Sequence, residues 1–475
     1  MLFKMLTNSV NKFPNNIIFK EKTKLLNYEN FMKKVLMYNY SLINDYNIKK
    51  NDRIMIITNN SSDSAALKYS IMASNGIIVP LYPNQSKEYY RQIIHNCNPK
   101  LIVSSQMLNI GEIHFDKLIH NHTLEPLYKN NDDDIVALMY TSGTSGNPKG
   151  VKLTHSNIFG NITSMPALVK PGDSSLSFLP WSHCFGFTCE LNYMIYKNGT
   201  MVICQDIKNI INELKLNNPE HLFSVPQLLI KIENKVLELP FYKRFFINKK
   251  HIFGNSLKNI AIGGSSTPIS TIKFLRNLDI NVFNGYGLTE TSPLATLNTS
   301  NSNYGSVGKP IKNVTINILD DSEITISGPN VMKGYWGEDE HKGQFKTGDI
   351  GYLDDDGYLY ITGRKNETYK LSNGKFINPT KIQDILLKNP KIEQVFIYGL
   401  NKEYNIALIY SKLDEKKIMN YISNHKELTN FEKPKKIIKI NEPFSVENNL
   451  LTPKLSLKRN LISTEYANEI NKLYS

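Results

Sequence analysis

Short apolar runs recur along the first part of the chain, and longer mixed stretches separate them. The runs lie at residues 54–57, 77–79, 101–103, 135–139, 201–204, 260–262 and 281–283. Runs of this length read as buried strands, and intervening stretches of about twenty to thirty residues are long enough for helices. The pattern therefore predicts strand–helix–strand units and parallel sheets.

Two further patterns extend this prediction at the ends of the chain. Residues 28–44 place Phe31, Val35, Tyr38 and Leu42 on one face, which predicts an amphipathic helix. After about residue 305 the pattern changes to short alternating runs, which predict a small β unit; these runs lie at residues 314–318 and 323–326. The chain turns strongly polar at residues 363–367, and the remainder has the size of a separate α+β domain.

The apolar run at residues 135–139 leads directly into an unusual stretch, residues 140–150. It reads Tyr-Thr-Ser-Gly-Thr-Ser-Gly-Asn-Pro-Lys-Gly. Glycines let backbone N–H groups approach an anion closely, while hydroxyl groups and a lysine add donors and positive charge. This composition suits a polyphosphate, although it is neither the Walker pattern nor a G-x-G-x-x-G dinucleotide motif. A mobile polar loop between a strand and a helix is the structural alternative.

This stretch resembles the phosphate-binding signature of the adenylate-forming superfamily, which includes acyl-CoA synthetases, luciferases and nonribosomal adenylation domains. The resemblance implies that the loop holds the polyphosphate of ATP and that Thr144 lies beside Mg²⁺. The phosphate-binding candidates in the loop are Thr141, Ser142, Gly143, Thr144, Ser145 and Lys149.

Five motifs occur in the order of that superfamily, so the resemblance covers nearly the whole chain. It implies an α/β fold with an α+β C-terminal domain, in which two αβ lobes and a small β unit precede a mobile small domain. On this basis we expect an N-terminal AMP-binding domain at residues 1–363 and a mobile domain at residues 364–475, with the active site between them.

The second motif ends in His183 and lies in an apolar, aromatic stretch, residues 178–187. A lone histidine is more often a core residue, but the resemblance places this one beside the acyl pocket. No carboxylate stands close to His183 in the sequence, whereas amino-acid-activating relatives usually have an aspartate hereabouts. An unpaired ammonium group would be costly in such a pocket, so this stretch predicts an uncharged substrate tail.

The third and fourth motifs supply the nucleotide site. Gly264 lies in a Gly-Gly-Ser turn after the run at residues 260–262, where the resemblance implies a wall of the acyl and adenine sites. The motif at residues 286–293 implies that its tyrosine stacks on adenine, its threonine holds the α-phosphate and its glutamate binds Mg²⁺. These residues are Tyr286, Gly287, Thr289 and Glu290.

The last nucleotide candidates are Asp349 and Arg364, fifteen residues apart. The resemblance implies that Asp349 holds the ribose hydroxyl groups and that Arg364 assists. Each would otherwise be an ordinary exposed charge. The hinge departs from the family pattern because Asn366 stands where relatives commonly have lysine or aspartate. Asparagine tolerates unusual backbone angles, so a hinge here is still compatible with the sequence.

The C-terminal candidates belong to the thioester step and to adenylation. Lys370 and Gly374 match positions that the family uses in the thioester-forming orientation. The local sequence at residues 370–375, Lys-Leu-Ser-Asn-Gly-Lys, resembles that of long-chain acyl-CoA synthetases. The usual position of the mobile catalytic lysine is occupied by Ser456, and Lys454 and Lys458 flank it. A serine lacks the positive charge that stabilises the transition state. We therefore expect either recruitment of a neighbouring lysine, with Lys454 preferred, or crippled adenylation.

Composition limits the class of protein. At 475 residues with 41% hydrophobic and 21% charged residues, the chain is typical of a globular protein. The net charge of +13 suits anionic ligands such as ATP, CoA or an acidic lipid surface, but we favour a lysine-biased composition as its cause. No basic block indicates nucleic-acid binding. The four cysteines match no zinc or C-x-x-C spacing and favour a reducing, cytoplasmic compartment.

The sequence therefore predicts an ATP-dependent fatty acid–CoA ligase of medium- or long-chain specificity that acts through an acyl-AMP intermediate. Its partners would be a fatty acid, ATP with Mg²⁺, and CoA, and peripheral membrane association is compatible with the absence of a long apolar run. Two alternatives stay open: a ligase that passes the acyl group to a carrier protein, and a catalytically degenerate protein that binds nucleotide or fatty acid.

Overall fold

A computed structural model describes residues 1–119, 122–126, 131–141, 148–244, 247–300, 302–365, 367–445, 448–451 and 457–474. The helices, in chain order, are α1 (Leu2–Lys12), α2 (Tyr28–Asn44), α3 (Ser62–Ala73), α4 (Lys87–Cys97), α5 (His155–Ser164), α6 (Tyr193–Tyr196), α7 (Ile210–Asn217), α8 (Pro226–Leu237), α9 (Phe241–Arg244), α10 (Lys249–Ile252), α11 (Ile269–Arg276), α12 (Pro379–Leu386), α13 (Glu415–Asn424), α14 (Arg459–Glu465) and α15 (Ala467–Tyr474). A π-helical segment, Phe185–Asn192, leads into α6, and 3-10 turns lie at Phe115–Leu118, Ile207–Asn209 and Thr289–Thr291.

The strands of the first half, in chain order, are β1 (Ile17–Glu21), β2 (Lys24–Asn27), β3 (Arg53–Ile57), β4 (Ile77–Leu81), β5 (Leu101–Ser104), β6 (Ile113–His114), β7 (Ile135–Thr141), β8 (Lys149–Thr154), β9 (Ser174–Ser177), β10 (Thr200–Ile203), β11 (His221–Ser224) and β12 (Asn259–Ile262). Those of the second half are β13 (Asn281–Tyr286), β14 (Thr296–Asn298), β15 (Lys309–Pro310), β16 (Thr315–Ile318), β17 (Glu323–Ser327), β18 (Phe345–Leu353), β19 (Leu359–Arg364), β20 (Tyr369–Lys370), β21 (Phe376–Ile377), β22 (Ile392–Tyr398), β23 (Ile406–Ser411) and β24 (Lys436–Lys439).

Two large sheets form the first 310 residues. One has the order β6-β5-β3-β4-β7-β8, and the other has the order β15-β14-β13-β12-β11-β9-β10-β1-β2. Neighbouring strands are parallel in the centre of each sheet and antiparallel at β8, β2, β14 and β15. This arrangement confirms the predicted α/β class. The predicted helix at residues 28–44 is confirmed as α2, with Asn27 capping its first turn through its side chain.

Apolar side chains from both sheets meet on helices that lie between them. The largest core cluster joins α1, α2, α3, α5 and the π-helical segment to one face of each sheet. Because both of its sides are covered, α3 is buried along its whole length. A second cluster covers the opposite face of the nine-stranded sheet with α7, α8, α10 and α11. The two faces of the nine-stranded sheet are therefore covered by different helices. Along each of its strands, every second side chain points to the same face.

Three smaller sheets complete the chain. The predicted β unit is confirmed as the antiparallel sheet β16-β17-β18-β19. The hairpin β20-β21 and the sheet β22-β23-β24 follow, and α12 to α15 pack with them to give the predicted α+β module. The boundary between residues 363 and 364 stays a prediction. Within the described ranges, no helix combines the length and apolar character needed to cross a bilayer.

Candidate active site

Three predicted residues meet where β13 ends. The Tyr286 hydroxyl donates to Asp349 Oδ2 at 2.7 Å, and Arg364 Nε lies 2.8 Å from Asp349 Oδ1. Antiparallel pairing of β18 with β19 sets Asp349 directly opposite Arg364, so backbone register creates the ion pair. Burial raises the pKa of Asp349, while Arg364 and Tyr286 favour its charged form. The carboxylate is thus a buried acceptor held between two donors.

A second group of contacting residues includes Glu290, which lies four residues after Tyr286 in the chain. Glu290 Oε1 accepts from the Tyr335 hydroxyl at 3.0 Å. The Lys149 ammonium lies 4.7 Å from the centre of the Tyr335 ring and 3.3 Å from Glu338 Oε1. A cation over an aromatic face is attracted electrostatically. Tyr335 therefore links the predicted glutamate to the predicted lysine.

The turn after β13 requires a glycine. A Cβ atom at Gly287 would lie 1.7 Å from the carbonyl oxygen of Pro293, which no side chain allows. The backbone can therefore fold back on itself and bring Thr289, which is buried, and Glu290 to the edge of the sheet. Met332 then donates its N–H to the Glu290 carbonyl at 2.8 Å, which joins this turn to the segment that carries Tyr335.

The segment with Tyr335 runs along β8. Trp336 donates its N–H to the Gly150 carbonyl at 2.7 Å, and Lys152 donates its N–H to the Gly334 carbonyl at 2.9 Å. Thr141, the last residue of β7, is paired with Lys149, the first of β8. The loop between them thus joins two antiparallel strands, and the alternative of a loop between a strand and a helix is wrong. Ser142, Gly143, Thr144 and Ser145 lie outside the described residues.

The loop that carries His183 is clamped from two sides. Asn60 donates to the Leu179 carbonyl at 2.7 Å and accepts from the Trp181 N–H at 2.9 Å. The Trp181 indole N–H donates to Glu190 Oε2 at 3.2 Å. The half-buried His183 begins the turn into the π-helical segment, where its carbonyl accepts from Phe187.

Glu190 adds a carboxyl group to this region. It lies seven positions after His183, outside the stretch at residues 178–187. Its side chain is fully buried, with Ser175 and Ser177 beside it, and burial raises its pKa to about 8. Burial therefore favours the protonated, neutral form of this carboxyl group. The uncharged substrate tail inferred from the sequence stays a prediction.

The Gly-Gly turn follows β12 and contacts the π-helical segment that continues from the His183 loop. A Cβ atom at Gly263 would lie 3.5 Å from the Phe185 ring, so the ring rests directly on the backbone. Gly264 follows with a left-handed φ of +94° and is exposed. The turn is thus open on one side and touches the aromatic wall on the other.

The C-terminal candidates do not join these groups. Lys370 lies in β20 with its ammonium 4.6 Å from the centre of the Phe376 ring, and Gly374 has a left-handed φ of +80° in the turn to β21. Lys458 Nζ donates to Asn449 Oδ1 at 2.5 Å within the same module. Asn366, Lys454 and Ser456 lie outside the described residues.

Sequence reasoning missed Tyr335, Glu338, Asn60 and Glu190. A signal existed for the first two, because residues 334–338 read Gly-Tyr-Trp-Gly-Glu in an otherwise polar loop. Asn60 contacts residues more than a hundred positions away, and Glu190 contacts Trp181 within the turn that leads into the π-helical segment. Neither residue belongs to a local motif.

The residues present fit a divalent cation bound together with a nucleotide. A half-buried carboxylate, Glu290, faces the lysine-bearing edge of β8, and carboxylate oxygen is a ligand that Mg²⁺ prefers. No cluster of three or more histidine, cysteine, aspartate or glutamate side chains suited to a metal occurs in the described part of the chain. Mg²⁺ in nucleotide sites commonly uses one or two protein carboxylates and substrate phosphates.

Comparison with protein-family models gives two matches. The model described as AMP-binding enzyme matches residues 6–336, and the model described as AMP-binding enzyme C-terminal domain matches residues 366–475.

Similar curated proteins include two named for fatty acid activation. A long-chain-fatty-acid–[acyl-carrier-protein] ligase of Arabidopsis thaliana is 27% identical over 451 residues, covering 72% of this chain and 62% of that protein. Fatty acyl-CoA synthetase B of Dictyostelium discoideum is 30% identical over 428 residues, covering 72% and 64%. The chain thus spans somewhat less than two thirds of the length of these relatives.

Among solved structures, o-succinylbenzoate CoA synthetase from Bacillus subtilis, in complex with its acyl-adenylate intermediate, has a TM-score of 0.81. It is 21% identical and the match covers 96% of this chain and 97% of that one. At this identity the likeness concerns the fold.

Proposed function

The chain belongs to the AMP-binding enzyme family, and we propose that it is an ATP-dependent ligase that joins a medium- or long-chain fatty acid to a thiol through an acyl-AMP intermediate. The observation that carries this proposal is the meeting of Tyr286, Asp349 and Arg364 beside the Glu290–Tyr335–Lys149 group. Together these residues, which come from three different sheets, offer a ring, a buried carboxylate, a cation and a metal ligand, and these are the kinds of group that Mg·ATP requires.

In this proposal Asp349 accepts hydrogen bonds from the ribose hydroxyl groups, and Tyr286 stacks on adenine. Burial raises the pKa of Asp349, and the neighbouring Arg364 guanidinium opposes this by favouring the charged form. Because Asp349 is already held by two donors, it is oriented before the nucleotide binds. Gly264, Gly287 and Thr289 would line the same nucleotide site.

Replacing Asp349 with asparagine is expected to weaken AMP binding by about 10- to 100-fold, because hydrogen bonds to a charged acceptor contribute about 1.5–3 kcal/mol. Isothermal titration with AMP measures the effect, and Asp356→Asn on the exposed turn before β19 is the control. Equal affinities in the two variants would remove Asp349 from the nucleotide site.

Lys149 and the loop residues 141–145 would hold the polyphosphate. The ion pair between Lys149 and Glu338 is about half exposed, so phosphate can exchange with the Glu338 carboxylate at little cost. Glu290 and Thr144 would hold Mg²⁺, which neutralises charge on the phosphates and helps to align them.

The acid would lie between the His183 loop and the Gly263–Gly264 turn. Its carboxylate oxygen attacks the α-phosphorus of ATP, the bond to the bridging oxygen breaks, and pyrophosphate leaves. A carboxylate is already a nucleophile, so this step needs charge neutralisation and alignment rather than a general base. The fatty-acid names of two similar proteins support an uncharged tail.

The second step would follow rotation of residues 364–475 about the hinge. The thiol sulfur attacks the acyl carbon, AMP leaves with one carboxylate oxygen, and the thiol proton is released. Lys370 and Gly374 would serve this step. Lys454 or Lys458 would serve adenylation from the segment around Ser456, with Lys454 preferred.

Two acceptors remain to be distinguished, since one similar protein is named for a carrier protein and another for CoA. We propose CoA. Purified protein with Mg·ATP, dodecanoic acid and CoA is expected to form acyl-CoA, and Lys454→Ala is expected to lower the rate about 100-fold by removing transition-state charge stabilisation. Lys458→Ala serves as the companion variant.

Formation of acyl-AMP without acyl-CoA would favour the carrier-protein ligase. Tight ATP binding without pyrophosphate release from any acid would instead identify a degenerate binding protein. Full activity in both lysine variants would show that the segment around Ser456 does not supply the catalytic charge.

A further inference from the structure

Lys365 ties the chain to the small β unit directly before the predicted hinge residue. Its ammonium group lies 2.6 Å from Asp321 Oδ2 and 2.8 Å from Glu323 Oε2. The main chain adds a further bond, because Lys365 donates its N–H to the Gly348 carbonyl at 2.8 Å. Glu323 completes the group by accepting the Gly348 N–H at 3.1 Å through its other carboxylate oxygen. Side chain and backbone therefore hold Lys365 against β17 and β18.

The burial of Glu323 distinguishes this contact from an ordinary surface ion pair. Two exposed charges stabilise a protein little, whereas removing the partner of a buried charge is costly. Hydrogen bonds to Asp321 and Glu323 raise the pKa of Lys365, so its ammonium group stays charged at neutral pH. Without that ammonium group, the described contacts leave Glu323 buried with no cation beside it.

Glu367, two residues later, is tied instead to the C-terminal module. Its Oε2 accepts from the Thr380 hydroxyl of α12 at 3.0 Å and lies 3.2 Å from Arg459 Nε at the start of α14. Arg459 is held in turn, since its Nη2 donates to Gln383 Oε1 at 2.7 Å and its guanidinium lies 5.8 Å from the centre of the Phe396 ring. Glu367 thus belongs to the body formed by α12, α14 and β22.

The local hydrogen bonds that cross residue 366 are of a different kind. The main-chain N–H groups of Glu367 and Thr368 donate to the Arg364 carbonyl at 3.2 and 3.0 Å. The Thr368 hydroxyl donates to the same oxygen at 2.9 Å. Neutral bonds of this type exchange with bonds to water at little net cost, whereas the two ion-pair groups each stay within one body.

We infer that Lys365 and Glu367 are positioning residues that confine the rotation of the C-terminal module to the backbone between them. The inference rests on the ligase function proposed above, and it concerns the two anchors rather than the rotation itself. The moving part then begins after Lys365, so Arg364 stays paired with Asp349 in both steps. The nucleotide contacts are kept while the module turns, because a hinge of few residues absorbs the whole change in backbone angles.

Distances between two spin labels test the anchors without requiring turnover. Cysteines introduced at the exposed Lys170 and Lys416 carry the labels, in a protein whose partly exposed Cys204 is replaced by serine. We expect one or two narrow peaks in the distance distribution of this protein without ligand. Lys365→Met and Glu367→Gln are each expected to broaden the peaks about twofold, because a longer stretch of backbone is then free to turn.

Matched variants separate the anchoring charge from the loss of a surface group. Lys346→Met removes an exposed lysine of β18, and Glu403→Gln removes an exposed carboxylate of the C-terminal module. Both should keep the narrow peaks. Lys365→Arg keeps the positive charge and should return the peak widths to within about a fifth of the original. Melting temperatures check that each variant is folded.

The same variants divide the two half-reactions. Pyrophosphate exchange uses one orientation of the module, whereas acyl-CoA formation requires the change between orientations. Lys365→Met is therefore expected to lower the rate of acyl-CoA formation about fivefold and the rate of exchange less than about twofold. A merely structural role would lower both rates together.

The outcomes separate the anchors from the chemistry. Unchanged peak widths in Lys365→Met and Glu367→Gln, a broad distribution in the labelled parent protein, or equal losses in the two rates would each overturn the inference. Narrow peaks that broaden in these variants, in a protein that makes no pyrophosphate with any acid, would support the anchors and contradict the proposed ligase activity.

Discussion

Replacing Lys149 or Glu290 with alanine is expected to lower the rate of acid-dependent ATP–pyrophosphate exchange by about 10²- to 10³-fold, the cost of removing one preorganised charge-stabilising group. Lys149 contributes positive charge at the start of β8, and Glu290 contributes the carboxylate that Tyr335 orients at 3.0 Å. Exchange isolates the adenylation half-reaction, so neither the hinge nor the thiol acceptor affects the result.

Two control variants sharpen this prediction. Lys170→Ala removes an exposed lysine far from these groups, and Glu340→Ala removes a carboxylate from the same segment as Tyr335, where it pairs with Lys333 at the surface. Both controls should exchange at the wild-type rate. Wild-type rates in Lys149→Ala and Glu290→Ala themselves would refute the site assignment.

Replacing Glu190 with glutamine is expected to stabilise the protein at neutral pH by roughly 3 kcal/mol. Burial raises the Glu190 pKa from 4.5 to about 8, so at pH 7 the unfolded chain releases a proton that the folded chain retains. Each pH unit between 4.5 and 7 therefore lowers the free energy of unfolding by about 1.4 kcal/mol. Glutamine is neutral in both states and can still accept from Trp181, so it avoids this cost.

The sign of the effect fixes its pH dependence. Because the pKa of Glu190 is higher in the folded state than in the unfolded state, the protein loses stability as pH rises from about 4.5 to 8. The loss levels off above about pH 8, because the carboxyl group then ionises in the folded state too. The melting-temperature advantage of Glu190→Gln should be small at pH 5 and several degrees at pH 8. The exposed substitution Glu415→Gln should give no such trend. An equal difference at both pH values would show that Glu190 is not a buried neutral acid.

The sequence predicted those parts of the structure that depend on local periodicity. The helix at residues 28–44 appears as α2 with the expected ends, because its apolar face repeats with the helical period. The apolar runs appear within the central strands of the two sheets. β8 also has a local signal, because Val151 and Leu153 alternate with Gly150, Lys152 and Thr154.

The candidate active site was predictable where a motif is contiguous, and it was not predictable where contacting residues come from distant segments. The family resemblance identified Tyr286, Asp349 and Arg364 as candidates. The hydrogen bond between Tyr286 and Asp349, which are 63 positions apart in the sequence, is evident only from the fold. The pairing of Lys149 with Glu338 joins positions 189 apart, and no local pattern encodes it.

The central claim is that this protein activates a carboxylic acid by transferring its oxygen to the α-phosphorus of ATP. The most direct test is to incubate the protein with Mg·ATP, CoA and dodecanoic acid labelled with oxygen-18 in its carboxyl group, and to examine AMP by mass spectrometry. The account predicts one labelled oxygen in each AMP formed and none in pyrophosphate. AMP without label, or ADP and phosphate as the nucleotide products, would contradict it.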